Sequence, residues 1–254
     1  MLTDLGPSMD CRTNRKWLLV PLFVGLAVIS PTTSGAAGRE NARQIVENAI
    51  RAAGGYRTLA RYGARTWKEQ AVYHGAGGDE SYEASYSEEW PDKFRVDTGD
   101  YTMVVNGDRG WIRTDGETRE MTPAELEEHR EGIYSVWVFS LVPLVSEEFT
   151  LSRLAAERAG RPTAGINVAH RGHGDIQMYF DSRTGLLASS HTRYKEARSG
   201  QEVEQETSFS DYKDEAGIQT PTRIRIKRNG TLVVESKVET TYVERLDERI
   251  FARP

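Results

Sequence analysis

From Arg65 to Val243 the chain alternates polar and apolar residues with a period of two, broken once near its middle. Successive side chains on a pleated strand point to opposite faces. Trp67, Glu69, Ala71 and Tyr73 therefore share one face of a strand. Tyr82, Ala84, Tyr86, Glu88 and Trp90 share one face of the next, with Ser81, Glu83, Ser85, Ser87 and Glu89 on the other. Gly75-Ala76-Gly77-Gly78-Asp79 is the turn between them. Short strands are predicted at Phe94–Asp97, Tyr101–Val105 and Trp111–Arg113, joined by Thr98-Gly99-Asp100 and Asn106-Gly107-Asp108. The pattern returns at Ile176–Phe180, Leu186–Tyr194, Glu202–Tyr212, Thr222–Lys227 and Thr231–Val243. Loops this short join antiparallel neighbours, since a parallel pair needs a crossover of about a dozen residues or more. The expectation is an antiparallel meander.

Asn229-Gly230 is the clearest hairpin signal. A two-residue turn would set Ile224 opposite Glu235 and Lys227 opposite Leu232, mixing the faces. A three-residue loop, Arg228-Asn229-Gly230, instead sets Ile226 opposite Leu232, Ile224 opposite Val234 and Arg223 opposite Glu235. The three-residue loop is the predicted one, because a slip of one residue reverses which face is buried.

The interruption lies between Thr122 and Val145. Thr122-Pro123-Ala124-Glu125 opens a helix, with Thr122 as N-cap, Pro123 in the first turn and Glu125 at the capping-box position. It leads into IYSVWVFSLVPLV, Ile133 to Val145, apolar almost all round, so a helix there must be covered on most sides. That run is too short to span a bilayer. A strongly curled sheet with an apolar concave face could receive it. A second amphipathic helix is predicted over Asn41–Ala53, with Ala42, Ile45, Val46, Ala49 and Ile50 on one stripe, Asn41 as N-cap and Gly54-Gly55 as the stop.

Residues 1–37 read as a secretory signal peptide. Arg12, Arg15 and Lys16 precede the apolar run Trp17–Ser30, and Ser34, Gly35, Ala36 and Ala37 supply a small-residue cleavage site, expected after Ala36 or Ala37. Met9 is a candidate start that would place the basic residues at the terminus. The only cysteine, Cys11, lies in this segment, so the exported chain has neither disulfide nor thiol chemistry. Cleavage after Ala36 leaves 30 basic against 36 acidic side chains, net −6. That balance argues against nucleic acid as a partner. The expected product is one domain, 38–254, periplasmic or otherwise exported, with no stable membrane span once the signal is removed.

The stretch EEWPDKFRVDTGDYTMVVNGDRGWIR, Glu88 to Arg113, resembles the outer-membrane lipoprotein-sorting, Lol-type periplasmic carriers. Their second to fifth strands carry a Pro, a Phe-Arg, a turn with Gly and then a Trp; here these are Pro91, Phe94-Arg95, Asn106-Gly107 and Trp111. The run FSDYKDEAGIQTPTRIRI is similar to the C-terminal strands of related exported domains. Trp90 replaces a basic residue that often precedes the Pro, and Val96 an aromatic that often follows Phe-Arg. The family's lid-locking arginine has no counterpart assigned here. The resemblance implies an α+β fold: a strongly curved antiparallel sheet, an incomplete barrel, with helices covering the concave face. In the carriers that face holds acyl chains.

No HExxH, GxSxG, Gly-rich phosphate loop or paired-Cys site is present. His170-Arg171-Gly172-His173-Gly174-Asp175 has metal-ligand residue types, but a Gly-rich segment between strands reads as a solvated hairpin loop. Asp181–Gly185 reads as another hairpin loop. Glu125–Glu128 fits the first turn of a helix, where acidic groups complement the macrodipole, and Glu202–Glu206 a solvated strand face. Neither is a general acid/base pair, which would need one carboxyl desolvated. Large rings usually fill interiors, but an apolar lid beside an aromatic sheet face is also what a ligand cleft needs. The candidate ligand-binding residues are Trp67, Tyr82, Tyr86, Trp90, Phe94, Trp111, Tyr134, Trp137, Phe139 and Leu141. The expected function is binding of an apolar small molecule, lipid, acyl chain or lipoprotein segment, with envelope lipoproteins as a further partner class. No cofactor, metal or catalytic residue is assigned. The alternatives are a non-catalytic envelope interaction domain with a filled core and, behind it, a hydrolase.

Overall fold

The computed structural model describes residues 35–154, 157–158, 161–196 and 201–254. The predicted signal peptide, as far as Ser34, lies outside the described residues. Two helices come first, α1 (Gly35–Ala53) and α2 (Tyr56–Arg61). Six strands follow: β1 (Ala64–Gly75), β2 (Gly78–Glu89), β3 (Lys93–Asp97), β4 (Tyr101–Asn106), β5 (Arg109–Thr114) and β6 (Glu117–Glu120). Then come α3 (Pro123–Phe139), a short 3-10 turn (Val142–Val145), β7 (Phe149–Leu154) and β8 (Glu157–Arg158). The chain closes with β9 (Arg161–His170), β10 (Ile176–Asp181), β11 (Leu187–Lys195), β12 (Glu202–Glu215), β13 (Ile218–Arg228), β14 (Thr231–Val243) and a 3-10 turn (Glu248–Phe251).

Described strands form one open antiparallel sheet in the order β6-β5-β4-β3-β2-β1-β14-β13-β12-β11-β10-β9-β7, with β8 paired only to β9. Two meanders thus meet where β1 pairs with β14. The predicted faces hold: Trp67 lies opposite Tyr86, Glu69 opposite Ala84 and Ala71 opposite Tyr82. Strands β6, β7, β8 and β9 were not predicted. β6 is a short charged edge, the kind that discourages further pairing; its Arg119 bonds Glu125 of α3 at 2.7 Å.

The Asn229-Gly230 hairpin differs from the expected three-residue loop. Asn229 (φ 48°) and Gly230 (φ 80°) are both left-handed, which makes a two-residue turn. Lys227 faces Leu232, then the register shifts so that Ile226 faces Val234. Val233 is the extra residue of a bulge, and the bulge restores the apolar face that an unbroken two-residue register would have lost. Glu235 consequently faces Arg225, not Arg223, and bonds it at 2.5 Å.

Helix α3 starts as predicted. Thr122 Oγ1 accepts the Glu125 N–H at 3.3 Å and Glu125 Oε2 accepts the Thr122 N–H at 2.8 Å, a complete capping box. It does not run to Val145. Leu141 adopts φ 67°, and Pro143 sits in the first turn of the 3-10 segment that follows, because proline cannot continue the hydrogen-bond ladder. Helix α1 begins six residues before the predicted cap at Asn41, with Ala42, Val46, Ala49 and Ile50 buried as expected.

Among the described residues three apolar clusters hold the fold together. In the largest, Val46 and Ile50 of α1, Val138 of α3 and Leu144 meet Ile166, Met178 and Phe180 of β9 and β10. A second joins Ile133 of α3 to Phe94, Val96, Met103, Val105 and Ile112. On the reverse face of β4 and β5, Val104 and Trp111 pack under Phe251 of the C-terminal turn. Among the described residues no helix is long and apolar enough to cross a membrane.

Candidate functional site

A cavity of about 330 Å³ opens between the helices and the sheet. Ala49 and Ala53 of α1, Leu59 of α2, the part of α3 from His129 to Phe139, and Ser140 and Leu141 after it form one side; β1, β2 and β11–β14 form the other. Alternation along β1 and β2 sends Trp67, Tyr82, Tyr86 and Trp90 into it, and Phe94 of β3 joins them. Trp67 and Tyr86 stack with ring centroids 4.5 Å apart and planes 4° apart, and Phe94 lies 6.0 Å from each. Phe139 and Leu141 line the cavity from the helix side, and Phe139 meets Phe209 edge-on at 5.6 Å.

The remaining three candidates sit elsewhere. Trp111 faces away from the cavity because it pairs with Val104, whose parity on β4 is opposite to that of Met103 and Val105. Tyr134 and Trp137 lie on another stripe of α3, where both pack against Phe149. Tyr134 also stacks on His173 at 3.7 Å, and His170 stacks on Phe149 at 4.4 Å. His173 Nδ1 lies 2.5 Å from Glu131 Oε1. The 170–175 segment is thus a β9–β10 connection, as expected, but its imidazoles are half-buried, His173 against Tyr134 of α3 and His170 against Phe149 of β7. Burial, helped by His173, pushes the His170 pKa down.

Several polar residues of the site escaped the sequence reading. Arg65, facing Glu88 across β1 and β2, donates from Nε to Glu88 Oε2 at 2.8 Å. Glu88 is fully buried. Burial pushes its carboxyl above the usual range while Arg65 pulls it back. The guanidinium also lies 4.8 Å from the Trp67 ring. Glu69 lines the cavity and accepts the Tyr86 hydroxyl at 2.5 Å and the Tyr82 hydroxyl at 3.5 Å, both on Oε2. Burial, then the Glu69 charge, raises both tyrosine pKa values.

His129 faces the cavity from α3, where burial drops its pKa to about 4. Its neighbour Glu128 is buried, and burial together with Glu196 and Glu125 raises it to about 7. Ser190, Thr192, Gln205, Thr207 and Thr220 add hydroxyl and amide groups along β11–β13. The predicted solvated face of β12 is observed, with Glu202 and Glu204 outside and Val203 and Gln205 inside. Taken together, the site is an apolar chamber with an aromatic, charged end on β1 and β2. Among the described residues no three His, Cys, Asp or Glu side chains are grouped to hold a metal ion.

The sequence matches no family model and no curated protein. The fold does match solved structures. An outer membrane lipoprotein-sorting protein domain of Vibrio parahaemolyticus superposes with a TM-score of 0.56 at 11% identity, over 84% of this chain and 97% of that one. The chain has the Lol-type fold. A LolA superfamily protein of Nitrosomonas europaea gives 0.53 at 10% identity, over 83% and 97%. A DUF1329 family protein of Desulfovibrio piger gives 0.57 at 12% identity, over 84% and 97%. The superpositions establish the Lol-type architecture, and identities this low leave the ligand to be argued from the cavity.

Proposed function

We propose that this protein is an exported, non-enzymatic binding protein that holds a lipid, acyl chain or lipoprotein segment in the chamber between α3 and the sheet. In this reading residues 1–37 are a cleaved signal peptide, the helices cover the hollow of the curved sheet, and Trp67, Tyr82, Tyr86, Trp90, Phe94, Phe139 and Leu141 line the ligand. The carrier fold shared with lipoprotein-sorting neighbours favours binding over catalysis, and export fits the compartment in which such carriers act.

The observation that carries the reading is the cavity itself. A dry apolar void costs roughly 24 cal/mol per Å³, so one of 330 Å³ would forgo up to about 8 kcal/mol. That is comparable to the whole stability of a domain, about 5–15 kcal/mol. Hydroxyls on β11–β13 admit water and lower that cost, but a ligand removes it and gains burial as well. Native mass spectrometry of protein recovered from the periplasm should show a co-purifying lipid, and fatty acids should raise Tm. Thr207→Phe, which fills the chamber from β12, should abolish both effects without lowering Tm. A ligand-free protein that neither fatty acids nor any other alkyl-chain amphiphile stabilises would refute the proposal.

A further inference from the structure

The chamber has a polarity that its apolar lining alone does not explain. The side chain of Glu69 projects into it from the middle of β1, with Ala84 and Val238 as its neighbours on the two flanking strands. Neither neighbour is basic, and among the described residues Glu69 makes no ion pair. Arg65 is the cation on the same wall, and its Nε is committed to Glu88. His129, across the chamber, is kept neutral by burial. Tyr82 and Tyr86 hold Oε2 of Glu69 in place, and among the described residues no donor reaches Oε1. A positioned carboxylate with a free acceptor oxygen, beside the rings of Tyr82 and Tyr86, has the two elements that recognise an ammonium: an opposite charge and electron-rich rings.

Size sets the rest of the ligand. An apolar cavity of about 150 Å³ takes up a benzene ring, so 330 Å³ accommodates roughly 13 non-hydrogen atoms on the same scale. That is one chain of about a dozen carbons, and too little for two or three. From Glu69 the lining continues to Leu59, Ala53, Leu187 and Ile218, an apolar path for such a chain.

Building on the binding function proposed above, we infer that the occupant is a single-chain amphiphile with a cationic head, its ammonium against Glu69 and its alkyl chain directed toward α1 and α2. Trp67 and Trp90 line the chamber and report occupancy by their fluorescence. The test titrates purified protein with dodecylammonium, dodecyltrimethylammonium, dodecanoate and a two-chain dilauroyl phospholipid, each as monomer, by fluorescence and calorimetry. Dodecylammonium is expected to bind at least tenfold more tightly than dodecanoate, and the two-chain lipid more weakly than either ammonium. Glu69→Gln, checked by its Tm, should erase the tenfold preference. The wild-type comparison stands on its own should that variant fold poorly. Equal affinities, or a preference for dodecanoate, would overturn the cationic head while leaving apolar binding intact. Tighter binding of the two-chain lipid would overturn the single-chain assignment. Failure of every dodecyl probe to bind would overturn the function on which this inference rests.

Discussion

Arg65→Met tests whether the ion pair at the aromatic end of the chamber organises that end. The Glu88 side chain is 0% exposed and the Arg65 side chain 21%. Removing one partner of a buried pair costs about 3–5 kcal/mol, because the other charge stays buried without compensation. The partial exposure of Arg65 admits some water and favours the lower end. Loss of the cation over Trp67, 4.8 Å away, adds about 0.5–1 kcal/mol. The expected loss is about 3–4 kcal/mol at pH 7, read from urea unfolding followed by tryptophan fluorescence. It should depend on pH. The folded-state pKa of Glu88 is already raised above 4.5 by burial, and without Arg65 it rises further. A carboxyl with a raised folded pKa is harmless below the unfolded value and costs stability as pH climbs through the folded one. Arg65→Met should therefore be milder at pH 5 than at pH 8. The double variant Arg65→Met/Glu88→Leu, which removes both charges, should return to within about 1 kcal/mol of the parent, a coupling of at least ~2 kcal/mol. A double variant as unstable as Arg65→Met, or a single loss below about 1 kcal/mol, would refute this account.

Glu128 and His129 impose opposite pH dependences from adjacent positions on α3. Glu128, raised to about 7, loses stability as pH rises from about 4.5 to 7, so Glu128→Gln should gain about 1–2 kcal/mol at pH 8 and nothing at pH 4. His129, lowered to about 4, loses stability as pH falls from 6.5 toward 4, so His129→Gln should flatten the acid limb of a Tm–pH profile. Thr122→Ala removes a capping-box acceptor and should cost about 1 kcal/mol in denaturant unfolding. Trp137→Ala should cost about 2–3 kcal/mol, below the ~3–5 of a fully buried ring, and leave ligand affinity unchanged in calorimetry because Trp137 lies outside the chamber.

Much of the architecture was legible where local chemistry and periodicity agree. Strands β1 to β3 carry the period-two pattern, turns with Gly or Pro divide β1 to β5, and the Thr122 cap announces α3. The misses have local causes. Gly165 interrupts the pattern of β9 because the Tyr179 ring presses against it, 2.9 Å from where a Cβ would stand. The end of α3 was hidden by continuous hydrophobicity, which says that Ile133–Val145 is covered and not which part is helical. Pro143 carried the missing information, since the residue at its amino side is disfavoured in helix. The register at Asn229-Gly230 failed because a bulge cannot be weighed from pairing rules that assume an unbroken ladder.

The charged end of the chamber was legible in principle, by a step that parity alone does not take. Alternation says which residues share a face; composition of that face says whether it meets water. Arg65, Trp67 and Glu69 share a face with Tyr86, Glu88 and Trp90 across the β1–β2 pair. A solvated face would not carry a large ring at almost every second position, so the acids among those rings must be buried or must line a cavity. A buried carboxylate requires a counter-charge or hydrogen-bond donors. Arg65 is the basic residue of matching parity on β1 and sits directly across from Glu88, while Tyr82 and Tyr86 are the hydroxyls within a diagonal step of Glu69. The same reasoning separates the two acids: Glu88 has its cation and belongs to the scaffold, whereas Glu69 has donors but, among the described residues, no cation, and that imbalance is what makes it a site.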